Sequence, residues 1–249
     1  MAPRVSLFLT CSGDLLYPDA GRSVVEVLDH LGVEVDFPES QVCCGQPWLN
    51  SGHEDGARIM AEKFIETFSH STAIVSVSAS CVDTIRNRLP GLFPENSPEC
   101  RAMAEVAGKT YEFAEYLHKV LKYSDPPRHR NPEPTTYHSS CRTLRGVGLT
   151  GVAEGYLTSM LGDAFRPLPS AEVCCGFGGS FSVKLPEISG KMMGDKLKNI
   201  ASTGCSRVVS LDLGCLTHLK GGAARMAMDG VRFTHFAEVL NEALKGVEG

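Results

Sequence analysis

The chain has 249 residues, of which 43% are apolar and 21% charged, and it carries a formal net charge of −5. That is enough apolar sequence for one large or two small cores, and the acidic balance argues against a general nucleic-acid binder. No apolar run approaches the roughly 18 residues that a bilayer-spanning helix needs, and the apolar start at 5–11 is too short for a secretory leader, so the expectation is a cytoplasmic chain without direct membrane insertion.

A first strand is expected over residues 4–10, ending at Cys11. A helix follows over 19–31, where Val24, Val25, Leu28 and Leu31 share a face and Gly32 can end it. A short strand at 33–37 leads into Val42-Cys43-Cys44-Gly45-Gln46. A helix over 55–68 turns Ile59, Ala61, Phe64, Ile65 and Phe68 inward, and a buried strand over 73–77 ends near Ser78-Ala79-Ser80-Cys81. Helical sequence over 101–121 closes this half. Residues 124–134 are then so rich in proline and charge that neither helix nor central strand fits, and they read as a linker.

The second half replays the first. A strand at 135–138 ends near Cys141, a helix covers 151–161, and a strand at 164–168 leads into Val173-Cys174-Cys175-Gly176-Phe177-Gly178-Gly179. Helical sequence follows over 185–200, then a buried strand over 207–211 ending at Asp212-Leu213-Gly214-Cys215, and a last amphipathic helix over 234–244. Strands alternating with helices imply βαβ units and a parallel sheet. The expected fold is therefore α/β: two similar Rossmann-like parallel-sheet domains, 1–125 and 135–249, related by internal duplication.

The chain has ten cysteines, and in a reducing compartment that count points to metal or redox chemistry rather than a disulfide framework. Eight of them repeat in order. Cys11 to Cys43 spans 32 positions and Cys141 to Cys174 spans 33, while Cys44 to Cys81 spans 37 and Cys175 to Cys215 spans 40. Only Cys100 and Cys205 fall outside the pattern. Each patterned cysteine follows an expected strand, so the topology brings four thiols of each half to one sheet edge, where helix N-termini favour an anionic assembly. Neighbouring side chains on a regular strand diverge, so using both members of a Cys-Cys pair requires an irregular turn, which Gly176 permits. Four thiolates suit zinc or an iron–sulfur cluster. Structural zinc usually takes tight Cys-x₂₋₄-Cys knuckles, and none is present, which favours iron–sulfur in the second half. The first pair is followed by Gln46-Pro47 instead of Phe-Gly-Gly, so a cluster, zinc or no metal all remain open there.

Other side chains near these motifs carry two readings each. His138, three before Cys141, is a ligand, a proton donor or a strand-end hydrogen-bonding group. Arg142, Arg145 and Lys184 supply cations that a carboxylate substrate needs, or they are solvated surface. His53 and His218 lie near motifs, and Pro47 and Trp48 read as loop packing. No Gly-Lys-Ser/Thr follows the glycines, which argues against nucleotides.

The twice-used Cys … Cys-Cys-Gly … Cys pattern resembles the cysteine-rich CCG domain family, which includes the B subunit of heterodisulfide reductase and the iron–sulfur subunit of glycolate oxidase. With only two such domains, and with Cys174-Cys175-Gly176-Phe177-Gly178-Gly179-Ser180-Phe181-Ser182-Val183-Lys184 and Asp212-Leu213-Gly214-Cys215-Leu216, the chain is similar to its lactate-utilisation branch. The resemblance implies an oxidoreductase subunit in a cytosolic complex that oxidises L-lactate, a small 2-hydroxy acid, to pyruvate. It also implies two partners, a ferredoxin-like iron–sulfur subunit and a third small subunit, passing electrons towards the respiratory chain. In the heterodisulfide reductase the motif's last element is Cys-x-x-Cys, whose first position here is Ser78 in one half and Asp212 in the other. A 4Fe–4S cubane on four cysteines fits this set, and so does one with an iron left for a substrate or an oxygen ligand, for which Asp212 is a candidate; a capping carboxylate is the other reading of Asp212. The alternatives in function are a non-catalytic zinc-stabilised scaffold and a thiol/disulfide redox subunit like heterodisulfide reductase.

Overall fold

The computed structural model describes residues 3–248. In the first half, β1 (Arg4–Phe8) runs into a short α1 (Cys11–Leu16) and then α2 (Pro18–His30), followed by β2 (Glu34–Asp36). Next come α3 (Gln46–Ser51), α4 (Glu54–Phe68), β3 (Ile74–Ser76), α5 (Ala79–Asn87), α6 (Pro98–Gly108) and β4 (Thr110–Glu112). A one-turn α7 (Phe113–Glu115) opens into a wider helical turn over Tyr116–Val120. In the second half, β5 (Thr135–Tyr137) leads to a wide helical turn at Arg142–Val147, then α8 (Val152–Leu161), α9 (Ser180–Lys184) and α10 (Pro186–Ser202). β6 (Arg207–Ser210), α11 (Leu213–Arg225), β7 (Arg232–His235) and α12 (Phe236–Glu248) complete the chain.

The molecule is α/β with two all-parallel sheets, ordered β2-β1-β3-β4 and β5-β6-β7. Side chains alternate across the first sheet as a pleat requires. Val5, Leu7, Val75 and Val77 face a core shared with the second half, whereas Phe8 and Ile74 face α4 and α6. On that second face Phe8, Phe64 and Phe68 form an aromatic cluster with ring centroids 4.6–5.7 Å apart. Each such buried ring stabilises the fold by about 1.5–3 kcal/mol. The shared core continues through Tyr137, Val208, Val209, Leu216 and Phe236, and α12 lies against α2, so each half closes the other's open face. Glu133, at the end of the proline-rich segment, is held by Arg207, Arg232 and Ser206, with the buried Arg207 also paired to Glu242.

Three expected elements differ. The helix expected over 101–121 is interrupted by β4, which pairs with β3 through Ile74↔Thr110 to Ser76↔Glu112. The helix expected from residue 234 begins at Phe236, because Arg232–His235 forms β7 on the edge of the second sheet. The strand expected at 164–168 is reduced to a single bridge, Thr135↔Phe165. Pro167 and Pro169 remove the N–H donors that would extend that ladder.

β4 and β7 end on one repeated device. Glu112-Phe113-Ala114-Glu115 and His235-Phe236-Ala237-Glu238 both turn strand into helix. The Glu112 carboxylate accepts from Ala114 N and Glu115 N, while Glu115 accepts from Glu112 N. His235 Nδ1 accepts from Ala237 N, and Glu238 accepts from His235 N. This reciprocal capping satisfies helix-end donors in both halves. Burial pushes the pKa of His235 down to about 3, against an opposing pull from the Val77 backbone. The unfolded chain therefore binds a proton below about pH 6.5 that the folded chain refuses, and stability falls on acidification. Between pH 7.5 and pH 5 the native protein is expected to lose about 2 kcal/mol more than His235→Asn, which keeps a capping group without the titration. Denaturant midpoints at the two pH values check this, and parallel losses in both proteins would refute it.

Candidate metal centres

Cys11, Cys81, Cys141 and Cys215 sit where a strand gives way to a helical turn, and the two Cys-Cys pairs sit in loops that lead into α3 and α9. Cys11 is the first residue of α1, behind Thr10, whose φ of 69° is a left-handed conformation uncommon for a threonine. Thr10 holds that turn by accepting from Gly13 N. Cys43 and Cys44 precede Gly45, which starts α3 at a φ of +79°. Cys81 lies in the first turn of α5 and Cys215 in the first turn of α11. Cys141 begins the turn over Arg142–Val147. Cys174 and Cys175 lie in the loop before α9, where Gly176, Gly178 and Gly179 all have positive φ.

These positions converge. Cys11 Sγ is 3.8 Å from Cys43 Sγ, and Cys44 Sγ is 3.4 Å from Cys81 Sγ. In the second half Cys175 Sγ is 3.1 Å from Cys215 Sγ, and Cys174 interacts with Cys141 and Cys175. Each centre thus has a buried pair, Cys44 with Cys81 or Cys175 with Cys215, and a more exposed pair facing out. The thiols differ in charge. Contact with Cys141 and Cys175, together with the Gly176 N–H 3.3 Å from its sulfur, pulls Cys174 far below the usual thiol pKa. Cys141, Cys175 and Cys215 are all held above it. In the first half Cys11, Cys43 and Cys44 are all raised.

The loop at the second pair needs glycine. A Cβ on Gly176 would lie 2.8 Å from both Met192 Cβ and the Ser189 carbonyl of α10, at a φ of +88°. At Gly45 the nearest atoms, Met60 Cβ and Ala57 O, are 3.4 and 3.5 Å away. The halves are tied together around the centres. Asp212 caps α11 through Cys215 N and, with its other oxygen, accepts from Ser80 N at 2.8 Å. Both carboxylate oxygens are thereby engaged by backbone N–H groups, which favours the capping reading of Asp212 over an oxygen ligand. Asn50 of α3 holds the glycine loop through Gly178 O and Ser180 Oγ, and itself accepts from Arg88.

The other candidates fall into two groups. His138 lies against the second centre: a ring nitrogen and the sulfurs of Cys175 and Cys215 are within 4.8 Å of one another. The residue is fully buried and neither ring nitrogen has a protein partner. Burial, and then the charge of Lys196, push its pKa down to about 3, against the opposing pull of Cys174. Lys196, buried on α10, was missed from sequence; its ammonium donates to the carbonyls of Ser170 and Ala171 in the loop leading to Cys174. The remaining candidates lie in other surroundings. Arg142 is paired with the buried Asp83 of α5, tying the halves. Arg145 and Lys184 are exposed. His53 packs its ring on Trp48 at 5.9 Å, and His218 touches Phe177 and Ser189. Cys100 and Cys205 face the carbonyls of Pro90 and Thr203, and Cys205 lies at the opposite end of β6 from Cys215.

The donor set fits an iron–sulfur group. Four thiols per half meet at strand ends, a backbone N–H already addresses one sulfur, and an unpartnered buried imidazole faces two others. Among the described residues no helix is long and apolar enough to cross a membrane.

The cysteine-rich domain family named CCG matches the chain twice, over residues 5–86 and 135–220. A lactate utilization protein A 2 of Bacillus cereus is 37% identical over 241 residues, covering 97% of this chain and 99% of the relative. Lactate utilization protein A of Bacillus thuringiensis (strain Al Hakam) is 39% identical, and lactate utilization protein A 2 of Bacillus mycoides is 40% identical. Each of these two aligns over 238 residues, covering 96% of this chain and 98% of the relative. With two matches that each span the four patterned cysteines of one half, the chain belongs to the CCG cysteine-rich domain family.

Proposed function

We propose that this chain is the iron–sulfur subunit of a cytoplasmic complex that oxidises L-lactate, or a closely related 2-hydroxy acid, and passes electrons towards the respiratory chain. The observation that carries the reading is the convergence of four thiols in each half, in a chain whose near-full-length relatives are named for lactate utilization. Cys141, Cys174, Cys175 and Cys215 would hold a 4Fe–4S cluster in the repeat spanning 135–249. Cys11, Cys43, Cys44 and Cys81 would hold the metal of the repeat spanning 1–125. A bound cluster supplies one-electron storage and release. The chain's own part is to fix the sulfurs, to bury the inner pair from water, and to leave the outer pair near the surface for exchange with partners. Those partners would be a ferredoxin-like iron–sulfur subunit and a third small subunit.

For the first centre alone a second reading, structural zinc, has an observation behind it. The 3.8 Å between Cys11 and Cys43 sulfurs is close to the edge of a tetrahedron with Zn–S bonds of about 2.3 Å, and the 3.4 Å between Cys44 and Cys81 sulfurs is somewhat shorter than that edge.

The functional reading is tested in the cell from which the chain comes. Deleting its gene is expected to abolish growth on L-lactate as sole carbon source, with the intact chain but not Cys175→Ser restoring it. Unimpaired growth of the deletion strain on L-lactate would overturn the reading.

A further inference from the structure

The two centres are copies whose surroundings have diverged at one place. The contacts of the glycines fix the register of the copies. Gly45 faces Ala57 and Met60 of α4, and Gly176 faces Ser189 and Met192 of α10. Helix spacing then sets Phe64 of α4 against Lys196 of α10. Counting back from Cys11 and Cys141 sets Phe8 against His138. In the first half Phe8 and Phe64 pack edge to face, 5.2 Å apart, behind the thiols. In the second half the same wall holds an imidazole and an ammonium, both buried.

That exchange is costly unless something in the centre repays it. A buried polar group without a partner costs about 1–3 kcal/mol, and a buried charge costs more. Lys196 has two carbonyls to donate to, but His138 has nothing for its ring. The ring is not needed to hold the strand end either, because the backbone does so through His138 N to Val209 O at 2.8 Å. What the ring does face is sulfur. Among the described residues, His138, Cys175 and Cys215 form the only trio of histidine, cysteine or carboxylate donors drawn this close together.

We propose that His138 is a nitrogen ligand of the C-terminal centre beside the inner pair Cys175 and Cys215, taking the position of one outer thiol (Cys141 or Cys174) of the four-cysteine set; the N-terminal centre lacks such a donor, and Lys196 is a buried counter-charge to the thiolates. This rests on the reading of the thiol sets as metal centres. An imidazole that replaces a thiolate, and a nearby ammonium, each make a thiolate-rich centre less negative, and that raises its reduction potential. The two centres of one chain therefore differ in potential, with the C-terminal one higher. Lys196→Met, which removes the charge and keeps the length, lowers it.

Metal analysis comes first and tests the metal-centre reading by itself; the ligand test then follows whichever metal is found. If the chain holds iron, pulsed EPR on reduced protein labelled with 15N-histidine is expected to show a nitrogen coupling at one centre. If it holds zinc, cadmium-113 substitution is expected to show a 15N–113Cd coupling. In either case the coupling disappears in His138→Phe and persists in His218→Gln, whose ring is the other imidazole near this loop. Should His138→Phe fail to fold, His138→Gln removes the imidazole while keeping a polar side chain, and the coupling disappears there too. Metal-loaded native protein without a histidine coupling, or a coupling that survives loss of His138, overturns the ligand assignment and leaves the metal-centre reading intact. A chain that takes up no metal overturns both.

Discussion

Cys175→Ser empties the C-terminal centre and leaves the fold standing, whereas Cys44→Ser costs the protein less of its iron. The reason lies in what surrounds the two buried pairs. Cys175 is in contact with Cys215, next to the Gly176 N–H that addresses Cys174, and His138 faces both sulfurs of the pair. A serine oxygen there is a harder ligand on a shorter bond, the neighbouring sulfurs of Cys174 and Cys215 are already part of the set, and the unpatterned Cys205 lies at the far end of β6. Cys44 meets Cys81 in a pocket backed by Phe8 and Phe64, at the positions where the second half has His138 and Lys196. If the first centre holds zinc, Cys44→Ser removes no iron at all. Iron and acid-labile sulfide per chain, measured on both variants after identical anaerobic reconstitution, check this. The expected result is that Cys175→Ser loses about half or more of the iron and Cys44→Ser a smaller share. Equal losses would show that the centres are equivalent in metal content.

Gly176→Ala destabilises the protein by about 3 kcal/mol, and Gly45→Ala by about 1 kcal/mol. Both glycines have positive φ, so an alanine carries backbone strain at either position. Only at Gly176 does the new methyl also run into neighbours, at 2.8 Å from a backbone oxygen and a Cβ of α10. That helix cannot retreat, because Lys196, Leu197 and Ile200 fix its inner face in the shared core. The substitution therefore either swings the Cys174–Cys175 loop outward or lifts α10. In both cases metal uptake at the second centre falls together with stability. Denaturant midpoints of the two variants, with and without metal, check this; indistinguishable midpoints would refute it.

The legible part of the molecule was the part governed by spacing. Eight cysteines at matched intervals, each following a strand-like run, are enough to predict that they gather at sheet edges, and the thiol separations agree. The long amphipathic helices were also legible, since α2, α4 and α10 fall within two residues of their expected bounds. β4 and β7 were not, because three or four residues flanked by helical periodicity carry too little pattern of their own. What marks them is the repeated Phe-Ala-Glu at 113–115 and 236–238, a second duplication beside that of the cysteines. Lys196 was overlooked for the opposite reason. It sits on the apolar stripe of α10 with Met193, Leu197 and Ile200, where a lysine is out of place. A charge on the buried face of a helix behind a cysteine motif was the available signal. Asp212 carries both a ligand and a capping reading in the sequence; that two backbone N–H groups engage both its oxygens depends on the packing of one half against the other.

The central claim, that two duplicated sets of four thiols hold iron–sulfur chemistry, is tested most directly on anaerobically purified protein. Metal content, acid-labile sulfide and the visible spectrum are measured on the same sample. The expected result is brown protein with matching iron and sulfide, at least one cluster's worth per chain. Colourless protein that carries stoichiometric zinc and no sulfide, even after reconstitution, would contradict it.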